Sequence, residues 1–419
     1  MNGAGNGQPT LGINGLGRIG KLSLWYHLDR DNFDRFVVNL GRPVGRSLGD
    51  VAQYLEKDST YGSLCRYLYG HRAKPEIRVV DEERGLLDVY GKEVLVLREE
   101  RDPARLPWRE HGVRVVVDAT GRFVDPGAES DGAPALRGHI DAGAKVVVQS
   151  SPFKAARKEA PLPDDAIMLI NGINQQEYDP DRHRLVSAAS CTTTALAHML
   201  RPLLDRKLTA NMITAGMSTI HAVTNSQPVL DAVPGAGAKD LRKSRGALDN
   251  IVITSTNAAR ALEPVMPEIA RVGFMADSVR IPTSTTSLII LNLTLQGEMT
   301  ADGNSLINRE SINRIYQEAA EGEARGLVAY SEEQNVSSDL RGYDAAVVIE
   351  AVETHTRTGF VNVRLPEGCT LPEPYGEDAD GVRIPVTHVK IFGWYDNEMG
   401  SYTHRLGELT EHVAARALG

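Results

Sequence analysis

Short apolar runs alternate with helical patterns through the first half of the chain. The run at residues 11–14 is followed by a glycine-rich turn, and then by apolar residues at three- to four-residue spacing between positions 19 and 28. Such spacing predicts a helix with one apolar face. Runs without polar alternation are typical of strands in a parallel sheet that helices cover on both faces, so we predict an α/β, doubly wound fold here. The further runs of this kind lie at residues 36–39, 113–118, 145–149 and 167–170.

The pattern changes in the second half. Longer strand-like runs at residues 277–281 and 288–295 follow a connection rich in glycine, proline and basic residues at 228–245. These runs predict a second, α+β domain with a mostly antiparallel sheet.

Helical patterns are also expected at residues 305–321 and 403–418, and an exposed, acidic, proline-rich loop at 365–381. We expect residues 1–190, with a C-terminal helix at about 398–419, to form one domain. Residues 191–397 form the other.

Composition and charge narrow the possible partners. The chain has 419 residues, and 46 basic against 55 acidic residues give a net charge of −9 without a basic stripe. Nucleic acid and anionic membranes are therefore not expected as partners. The sequence lacks a signal-peptide pattern and any apolar run of the ~18 residues that a membrane span needs, so we expect a soluble cytoplasmic protein. The three distant cysteines, Cys65, Cys191 and Cys369, suit neither a disulfide framework nor a zinc site, and no metal is expected.

A glycine fingerprint follows the first predicted strand. Gly15, Gly17 and Gly20 form the pattern G-x-G-x-x-G at the start of an amphipathic helix, which is the context expected of a Rossmann-type dinucleotide-binding domain. Glycines let the backbone approach a pyrophosphate, and the helix N-terminus offers free N–H groups to it. We expect Asn14, Arg18 and Ile19 to belong to the same cofactor site. The alternative is a glycine-rich turn that only packs a strand on a helix.

The position expected to carry a ribose-binding acid is apolar. About 20 residues after the fingerprint, at the end of the second strand, the chain has Leu40. Leu40 would not repel a 2′-phosphate, and Arg42 or Arg46 would pair with it through the guanidinium group. The sequence therefore leans towards NADP and leaves NAD open. The alternative for Arg42 is a solvated loop arginine.

Cys191 and His221 are candidates for nucleophilic catalysis. Cys191 lies between a predicted strand and a predicted helix, where the helix N-terminus favours a thiolate. His221 follows the strand-like run at residues 213–220, and a cysteine–histidine pair supplies a nucleophile and a base. Taken separately, a lone cysteine is more often a small buried apolar residue, and His221 a hydrogen-bonded histidine at a strand end.

Several motifs, in order, resemble those of the glyceraldehyde-3-phosphate dehydrogenase family along nearly the whole chain. The two motifs around Cys191 and His221 read Ser190-Cys191-Thr192-Thr193 and Thr219-Ile220-His221. The other matching segments are residues 12–20, 57–62, 101–108, 119–123 and 394–398.

The resemblance implies an NAD(P)-dependent, phosphorylating oxidation of an aldehyde by a homotetramer, within glycolysis or gluconeogenesis. Cys191 would form a thiohemiacetal and then a thioester. His221 would take the thiol proton and, as an imidazolium, keep the thiolate ionised. Thr120 and Gly121 would line the cofactor domain, and Asn397 would hold the nicotinamide carboxamide.

The resemblance also implies two anion sites. Arg280 and Thr224 would hold the substrate phosphate. The attacking inorganic phosphate would be held by Ser190, Thr256 and a base among Arg242, Lys243 and Arg245, with Thr192 and Asn257 nearby. Each of these hydroxyls has an ordinary alternative role as a cap bonded to the backbone.

Some positions depart from the family's usual residues. Ser226 stands where the family has an acid, and Asn257 where it has a glycine. These departures leave two other interpretations open. The first is a dehydrogenase of another phosphorylated aldehyde such as erythrose 4-phosphate, or one that releases its product by hydrolysis. The second is a redox-sensing or binding protein on the same scaffold.

Overall fold

The computed structural model describes residues 9–30, 32–154, 161–225, 227–363 and 382–419. The glycine-rich start at residues 1–7, Ser226, Cys369 and the acidic tract at 365–381 therefore lie outside the described residues. The chain divides into two compact units. The first unit consists of Met1–Thr194 and Glu398–Gly419, and the second of Ala195–Asn397.

The first unit is built on one large sheet with helices on both sides. Its strands are β1 (Thr10–Asn14), β2 (Arg35–Asn39), β5 (Ile77–Asp81), β6 (Leu86–Val89), β7 (Lys92–Leu97), β8 (Val113–Asp118), β9 (Val146–Gln149), β10 (Ala166–Met168) and β11 (Leu185–Ser187), while β3 (Lys57–Asp58) and β4 (Gly62–Ser63) form a separate hairpin. Its α-helices are α1 (Arg18–Asp29), α2 (Leu48–Glu56), α3 (Leu64–Tyr69), α4 (Gly138–Asp141), the start of α5 (Cys191–Leu204) and α8 (Arg405–Leu418). Short 3-10 turns lie at Pro103–Arg105 and Gln175–Glu177.

The strand order is β10-β11-β9-β8-β1-β2-β7-β6-β5. All neighbours from β10 to β7 are parallel, whereas β5, β6 and β7 form an antiparallel meander at one edge. The central strands are buried on both faces, which explains their continuous apolar runs. Strand β1 pairs with β2 on one side and with β8 on the other. The order of the strands therefore reverses between β1 and β8, which is the switch point of the sheet.

The second unit is a mixed sheet with helices beside it. Its strands are β12 (Met212–His221), β13 (Val252–Thr254), β14 (Gly273–Arg280), β15 (Ser287–Gln296), β16 (Val328–Ser331), β17 (Val347–Glu350), β18 (His355–Val363) and β19 (Val382–Tyr395). It also contains the rest of α5, the helices α6 (Ala258–Leu262) and α7 (Arg309–Glu321), and 3-10 turns at Leu241–Ser244, Pro267–Arg271 and Ala351–Glu353.

The order in this sheet is β13-β14-β12-β15-β19-β17-β16, with β18 paired to β19. Most neighbours are antiparallel, and the exceptions are the parallel pairs β12–β14 and β16–β17. The predicted fold class is confirmed in both units. Because β12 and β14 are parallel and in register, their last residues, His221 and Arg280, are cross-strand partners.

Two helix starts differ from the sequence-based expectation. Helix α7 begins at Arg309 rather than at residue 305, because Asn308 caps it by accepting a hydrogen bond from the Ser311 N–H at 2.9 Å. The last α-helix begins at Arg405 rather than at 403, after a π-helical turn at Met399–His404. No helix in the described ranges combines the length and the apolar composition that crossing a membrane requires.

Candidate functional site

The glycine turn between β1 and α1 is closely packed at two of its glycines and open at the third. Gly15 has a positive φ of 90°. A Cβ atom on Gly20 would lie 1.8 Å from the Gly15 carbonyl oxygen, so only glycine is accommodated there. By contrast, no atom lies within 4 Å of a Cβ built on Gly17, which is the N-cap of α1 and lacks a side-chain cap. This cradle fits the pyrophosphate of a dinucleotide, since it leaves room for a phosphate beside free helical N–H groups.

The Arg18 side chain is paired with carboxylates of the first unit. Its guanidinium group donates to Glu398 at 2.6 Å and also to Asp58. Lys21 contacts the same Asp58 carboxylate at 2.6 Å. Burial alone would raise the pKa of Asp58, but the hydrogen bonds from Arg18 and Lys21 hold it well below its usual value. Because two carboxylates neutralise the charge of Arg18, the groups that attract an anion at this turn are the backbone N–H groups of residues 18–20. Ile19, in this segment, is half-buried.

The loops after β2 and β8 lie beside the same turn. Leu40 is half-buried against the core of the first unit, and Arg42 is exposed. Arg101, which the sequence analysis did not single out as a site residue, donates from Nε to the Gly41 carbonyl oxygen at 2.8 Å. After β8, Thr120 is half-buried, and Gly121 is exposed with a positive φ of 63°.

A buried polar cluster beneath these loops was also missed by the sequence analysis. Asp118 at the end of β8 and His139 in α4 are both fully buried and lie 3.1 Å apart between Oδ2 and Nε2. Asn14 donates to the same Asp118 oxygen at 2.8 Å, and Asn39 donates to the Asn14 side-chain oxygen at 2.8 Å. The signal in the sequence for this cluster is Asp118 itself, a carboxylate at the end of an apolar strand and just before Ala119.

Cys191 follows a strained turn in the first unit. Ala189 has a left-handed φ of 55°, which is unfavourable for a residue with a Cβ. Its N–H donates to the Ser187 hydroxyl at 3.2 Å, and its carbonyl accepts from the Tyr402 hydroxyl at 3.1 Å. Cys191 then opens α5, half-buried, at the helix N-terminus, where a thiolate is favoured.

The hydroxyls beside Cys191 are engaged locally. Ser190 accepts a hydrogen bond from the Thr193 N–H at 3.1 Å, and its hydroxyl lies 2.7 Å from the Thr193 hydroxyl. Ser190 therefore caps α5. Thr192 is buried, and its hydroxyl oxygen lies 4.0 Å from the Cys191 sulfur.

His221 and Arg280 are in contact in the second unit. His221 is buried, and its Nδ1 lies 2.7 Å from the carbonyl oxygen of Ala222. Arg280 lies against the same ring nitrogen and donates to that carbonyl at 3.0 Å. Burial and the charge of Arg280 lower the pKa of His221 to about 4, against a smaller opposing effect of the carbonyl. The ring is therefore neutral near pH 7, which suits a base and not the imidazolium that we expected.

Asn397 follows β19 and is buried at the same end of the second sheet, since Tyr395 pairs with Ser287 at the start of β15. The Ser287 hydroxyl donates to the Asn397 side-chain oxygen at 3.0 Å, which fixes the orientation of the amide. Asp396 accepts from the Thr285 hydroxyl at 3.0 Å. Thr286, between the two hydroxyl donors, has a left-handed φ of 67°.

Thr224 lies close to the His221 end of the sheet. Thr224 is half-buried in the loop after β12, where its N–H contacts Gln227 at 3.4 Å. Thr256 accepts a hydrogen bond from the Ala258 N–H at 3.2 Å, and exposed Asn257 is the N-cap of α6. Strand β13 pairs with β14 from Val252 opposite Arg280 to Thr254 opposite Ser278, and these two residues follow it.

The three candidate bases of the loop after β12 are exposed. Arg242 pairs with Asp240 at 2.8 Å, and Arg245 pairs with Asp231 at 2.9 Å. Lys243 is exposed in the turn Leu241–Ser244. Two of the three candidate bases are therefore paired with carboxylates of their own loop.

Comparison with known proteins gives a consistent family. Residues 9–126 match the model of the glyceraldehyde 3-phosphate dehydrogenase NAD binding domain, and residues 190–364 match that of its C-terminal domain. The chain is 34 % identical over 412 residues to glyceraldehyde-3-phosphate dehydrogenase of Geobacillus stearothermophilus, covering 97 % of this chain and 99 % of the relative. It is 33 % identical over 414 residues to glyceraldehyde-3-phosphate dehydrogenase 1 of Bacillus cereus, covering 98 % of this chain and 100 % of the relative.

The dinucleotide-binding unit and these matches define a nicotinamide-dependent oxidoreductase that acts on an aldehyde group. The chain belongs to the glyceraldehyde-3-phosphate dehydrogenase family.

Proposed function

We propose that this protein oxidises glyceraldehyde 3-phosphate in a phosphate-dependent reaction, with Cys191 as the nucleophile, His221 as the base and NADP as the preferred cofactor. The observation that carries the proposal is the contact between buried His221 and Arg280 at the ends of two parallel strands. It brings a neutral base and a cation for a phosphate to the same sheet edge. A helix N-terminus at Cys191 supplies the nucleophile in the other unit.

The acylation step follows from these groups. The Cys191 sulfur attacks the aldehyde carbon as its proton passes to the His221 ring, and His221 then gives this proton to the carbonyl oxygen, which yields a thiohemiacetal. His221 then takes the proton of the thiohemiacetal hydroxyl as a hydride leaves the same carbon, which yields a thioester. A nicotinamide cofactor held by the glycine turn would accept this hydride. Inorganic phosphate attacks the thioester carbon, the Cys191 thiolate leaves, and an acyl phosphate is released.

The residues around these groups have supporting roles. Arg280 and Thr224 hold the phosphate of the substrate, and the Asn397 amide holds the nicotinamide carboxamide, oriented by Ser287. Thr192 lies near the nucleophile and completes the substrate pocket. We propose that the attacking phosphate binds near Ser190, Thr256 and Asn257. A base of the loop with Arg242, Lys243 and Arg245 contributes to this site, and an uncharged variant of each base tests which one does so.

The decisive measurement is the initial rate with D-glyceraldehyde 3-phosphate, with NADP and with NAD, each with and without inorganic phosphate. Phosphate-dependent reduction that favours NADP is expected. Turnover without phosphate indicates hydrolytic release. A higher kcat/KM on erythrose 4-phosphate indicates a different aldehyde. Absence of turnover on both, with Cys191 still alkylated rapidly, indicates a sensor or binding protein.

The preference for NADP is supported by the loop after β2. Leu40 brings no negative charge to this loop, and Arg42 is exposed two residues later. We expect Leu40→Asp to shift the ratio of kcat/KM values towards NAD by about tenfold, because a carboxylate repels a 2′-phosphate and bonds a ribose hydroxyl. Leu40→Asn is the matched uncharged control. An unchanged ratio in Leu40→Asp would exclude this role.

We also propose that the protein is a homotetramer. The second unit exposes large apolar side chains on its surface, which supports burial against other copies of the chain. They include Val229, Leu230, Val233, Ile251, Ile253 and Met275. Light scattering after size exclusion should give four times the chain mass of 45.6 kDa. Met275→Lys should lower that mass, whereas a purely monomeric parent would contradict the proposal.

A further inference from the structure

Four polar side chains are buried together in the first unit, each on a different chain segment. Asn14 ends β1, Asn39 ends β2, Asp118 ends β8, and His139 lies in α4. All four are at most 3 % exposed. They lie below the loops after β1, β2 and β8, which is the edge where a doubly wound sheet binds its ligand.

The Asp118 carboxylate organises this cluster. One oxygen accepts hydrogen bonds from Asn14 Nδ2 at 2.8 Å and from His139 Nε2 at 3.1 Å. The other accepts from the Thr120 N–H at 3.0 Å and from the Thr120 hydroxyl at 2.6 Å. Asp118 therefore folds the loop that follows it, and it requires donors on both sides because a carboxylate only accepts.

Trp108 determines which nitrogen of His139 carries the proton. The indole N–H can only donate, and it lies 2.9 Å from His139 Nδ1. Nδ1 must therefore accept, and the ring proton lies on Nε2, facing Asp118. Trp108 thus holds His139 in the neutral form that donates to the carboxylate.

Asn14 and Asn39 extend the cluster to the loop after β2. Asn39 donates to the Asn14 side-chain oxygen at 2.8 Å, and its own oxygen accepts from the Gly41 N–H at 3.1 Å. The carboxylate is therefore linked through two amides to the loop that contains Leu40 and Arg42.

We propose that His139 is a positioning residue for the dinucleotide. This inference rests on the proposed NADP binding. His139 acts through Asp118, which fixes both Asn14 at the start of the glycine turn and the backbone of Thr120. A Cβ on Gly15 would lie 2.9 Å from Thr120, so the two loops pack directly against each other. Holding Thr120 therefore holds the shape of the cradle around Gly15 before the cofactor binds. Buried networks in which every partner is satisfied rigidify their surroundings in this way.

The test compares two substitutions of His139. His139→Leu removes the donor to Asp118, and we expect the Kd for NADP and for NAD to rise by about tenfold or more, from the cost of losing a hydrogen bond to a charged group. His139→Gln restores an N–H donor, so its Kd should lie within about threefold of the parent value. The matched control is His183→Leu, since His183 is a buried histidine of the same unit that bonds the Asp179 N–H at 3.0 Å instead.

Hydrogen exchange in the unliganded protein is the second readout. The Thr120 and Arg122 amides, which bond Asp118 and Thr120, should exchange faster in His139→Leu but not in His139→Gln or His183→Leu. Unchanged Kd and exchange in a folded His139→Leu protein would overturn the proposal, as would equal losses in His139→Leu and His139→Gln. If the parent binds neither cofactor, the proposed function fails, while the exchange result still decides whether His139 holds the loop.

Discussion

The dinucleotide cradle of the first unit and the His221 edge of the second unit use different parts of the chain. The cradle around Gly15 and Gly20 presents backbone N–H groups, and the one nearby arginine of the turn, Arg18, is paired with Asp58 and Glu398. The His221 edge instead places Arg280 directly against the histidine ring. In the cradle the packing of the backbone controls the shape, whereas at the edge burial and the charge of one side chain together lower the pKa of another.

This difference determines which substitutions matter. A cradle made of backbone is damaged by adding atoms, such as a Cβ on a glycine. An edge made of side chains is damaged by removing a charge or a proton acceptor. The first three predictions below test this contrast, and the fourth concerns a buried histidine elsewhere in the first unit.

The largest effect is expected for His221→Asn. Asparagine has no group that accepts the proton of Cys191, so kcat/KM should fall by about 10²- to 10⁴-fold. The Kd of the cofactor should change by less than about twofold, because the cradle lies in the other unit. His388→Asn, on an exposed position of β19, is the control. A comparable loss of cofactor affinity in His221→Asn would break the contrast between the two regions.

Arg280→Gln tests the charge at the edge. Removing the cation should raise the pKa of His221 from about 4 towards its ordinary value of 6.5. A protonated ring cannot act as a base, so activity in the variant should be lost at a higher pH than in the parent as the pH falls. The pH profile of kcat/KM and an NMR titration of the ring measure this shift. Arg280→Lys keeps the charge and should retain the parent's acid limb.

Two glycines of the cradle make a matched pair. Gly20→Ala forces a Cβ against the Gly15 carbonyl and should lower the free energy of unfolding by about 1–3 kcal/mol. Gly17→Ala meets no atom within 4 Å, so its effect on unfolding should stay within about 1 kcal/mol. It should nevertheless weaken cofactor binding, because the Cβ occupies the space that the phosphate needs. Urea denaturation and calorimetric titration give the two quantities, and unimpaired binding by Gly17→Ala would argue against the cradle.

The last prediction concerns the pH dependence of stability and involves His27 in the first unit. Its ring is fully buried between Tyr26 and Phe33, and neither nitrogen has a hydrogen-bond partner among the described residues. Burial and the charge of Arg30 lower the pKa of His27 to about 3. Glu411 lies 4.0 Å from Nδ1, and burial raises the pKa of this carboxyl.

The unfolded chain binds a proton at His27 below pH 6.5, while the folded chain does not until about pH 3. Stability should therefore be lost as the pH falls below 6.5, by up to about 1.4 kcal/mol per pH unit from this residue. His27→Leu should flatten that part of the slope in urea titrations between pH 7 and 4. His355→Leu, an exposed substitution, should leave it unchanged.

The sequence predicted the centre of each sheet better than its edges. Strands β1, β2, β8 and β9 are buried on both faces, so their apolar runs identify them. The meander of β5 to β7 was not predicted, because β5 is largely exposed and carries charged residues among its apolar ones.

The candidate site shows the same limit. The glycine turn can be predicted from the sequence because backbone geometry restricts the residue type at Gly15 and Gly20. The cluster of Asp118 and His139 cannot be predicted from the sequence, because 21 residues separate the two side chains. Only the parallel pairing of β8 and β9 brings α4 beside β8. The contact of Arg280 with His221 likewise depends on the parallel pairing of β12 and β14.

The last helix has a consequence for synthesis on the ribosome. Leu406, Leu409 and Val413 of α8 are buried in the core of the first unit, together with strands from near the start of the chain. The whole second unit is therefore translated before the first unit can complete its core. Since domains fold as units during synthesis, the second unit can fold first, and the cofactor-binding unit remains incomplete until α8 emerges. A chain that stops some twenty residues early would thus lose the dinucleotide cradle while retaining the residues of the His221 edge.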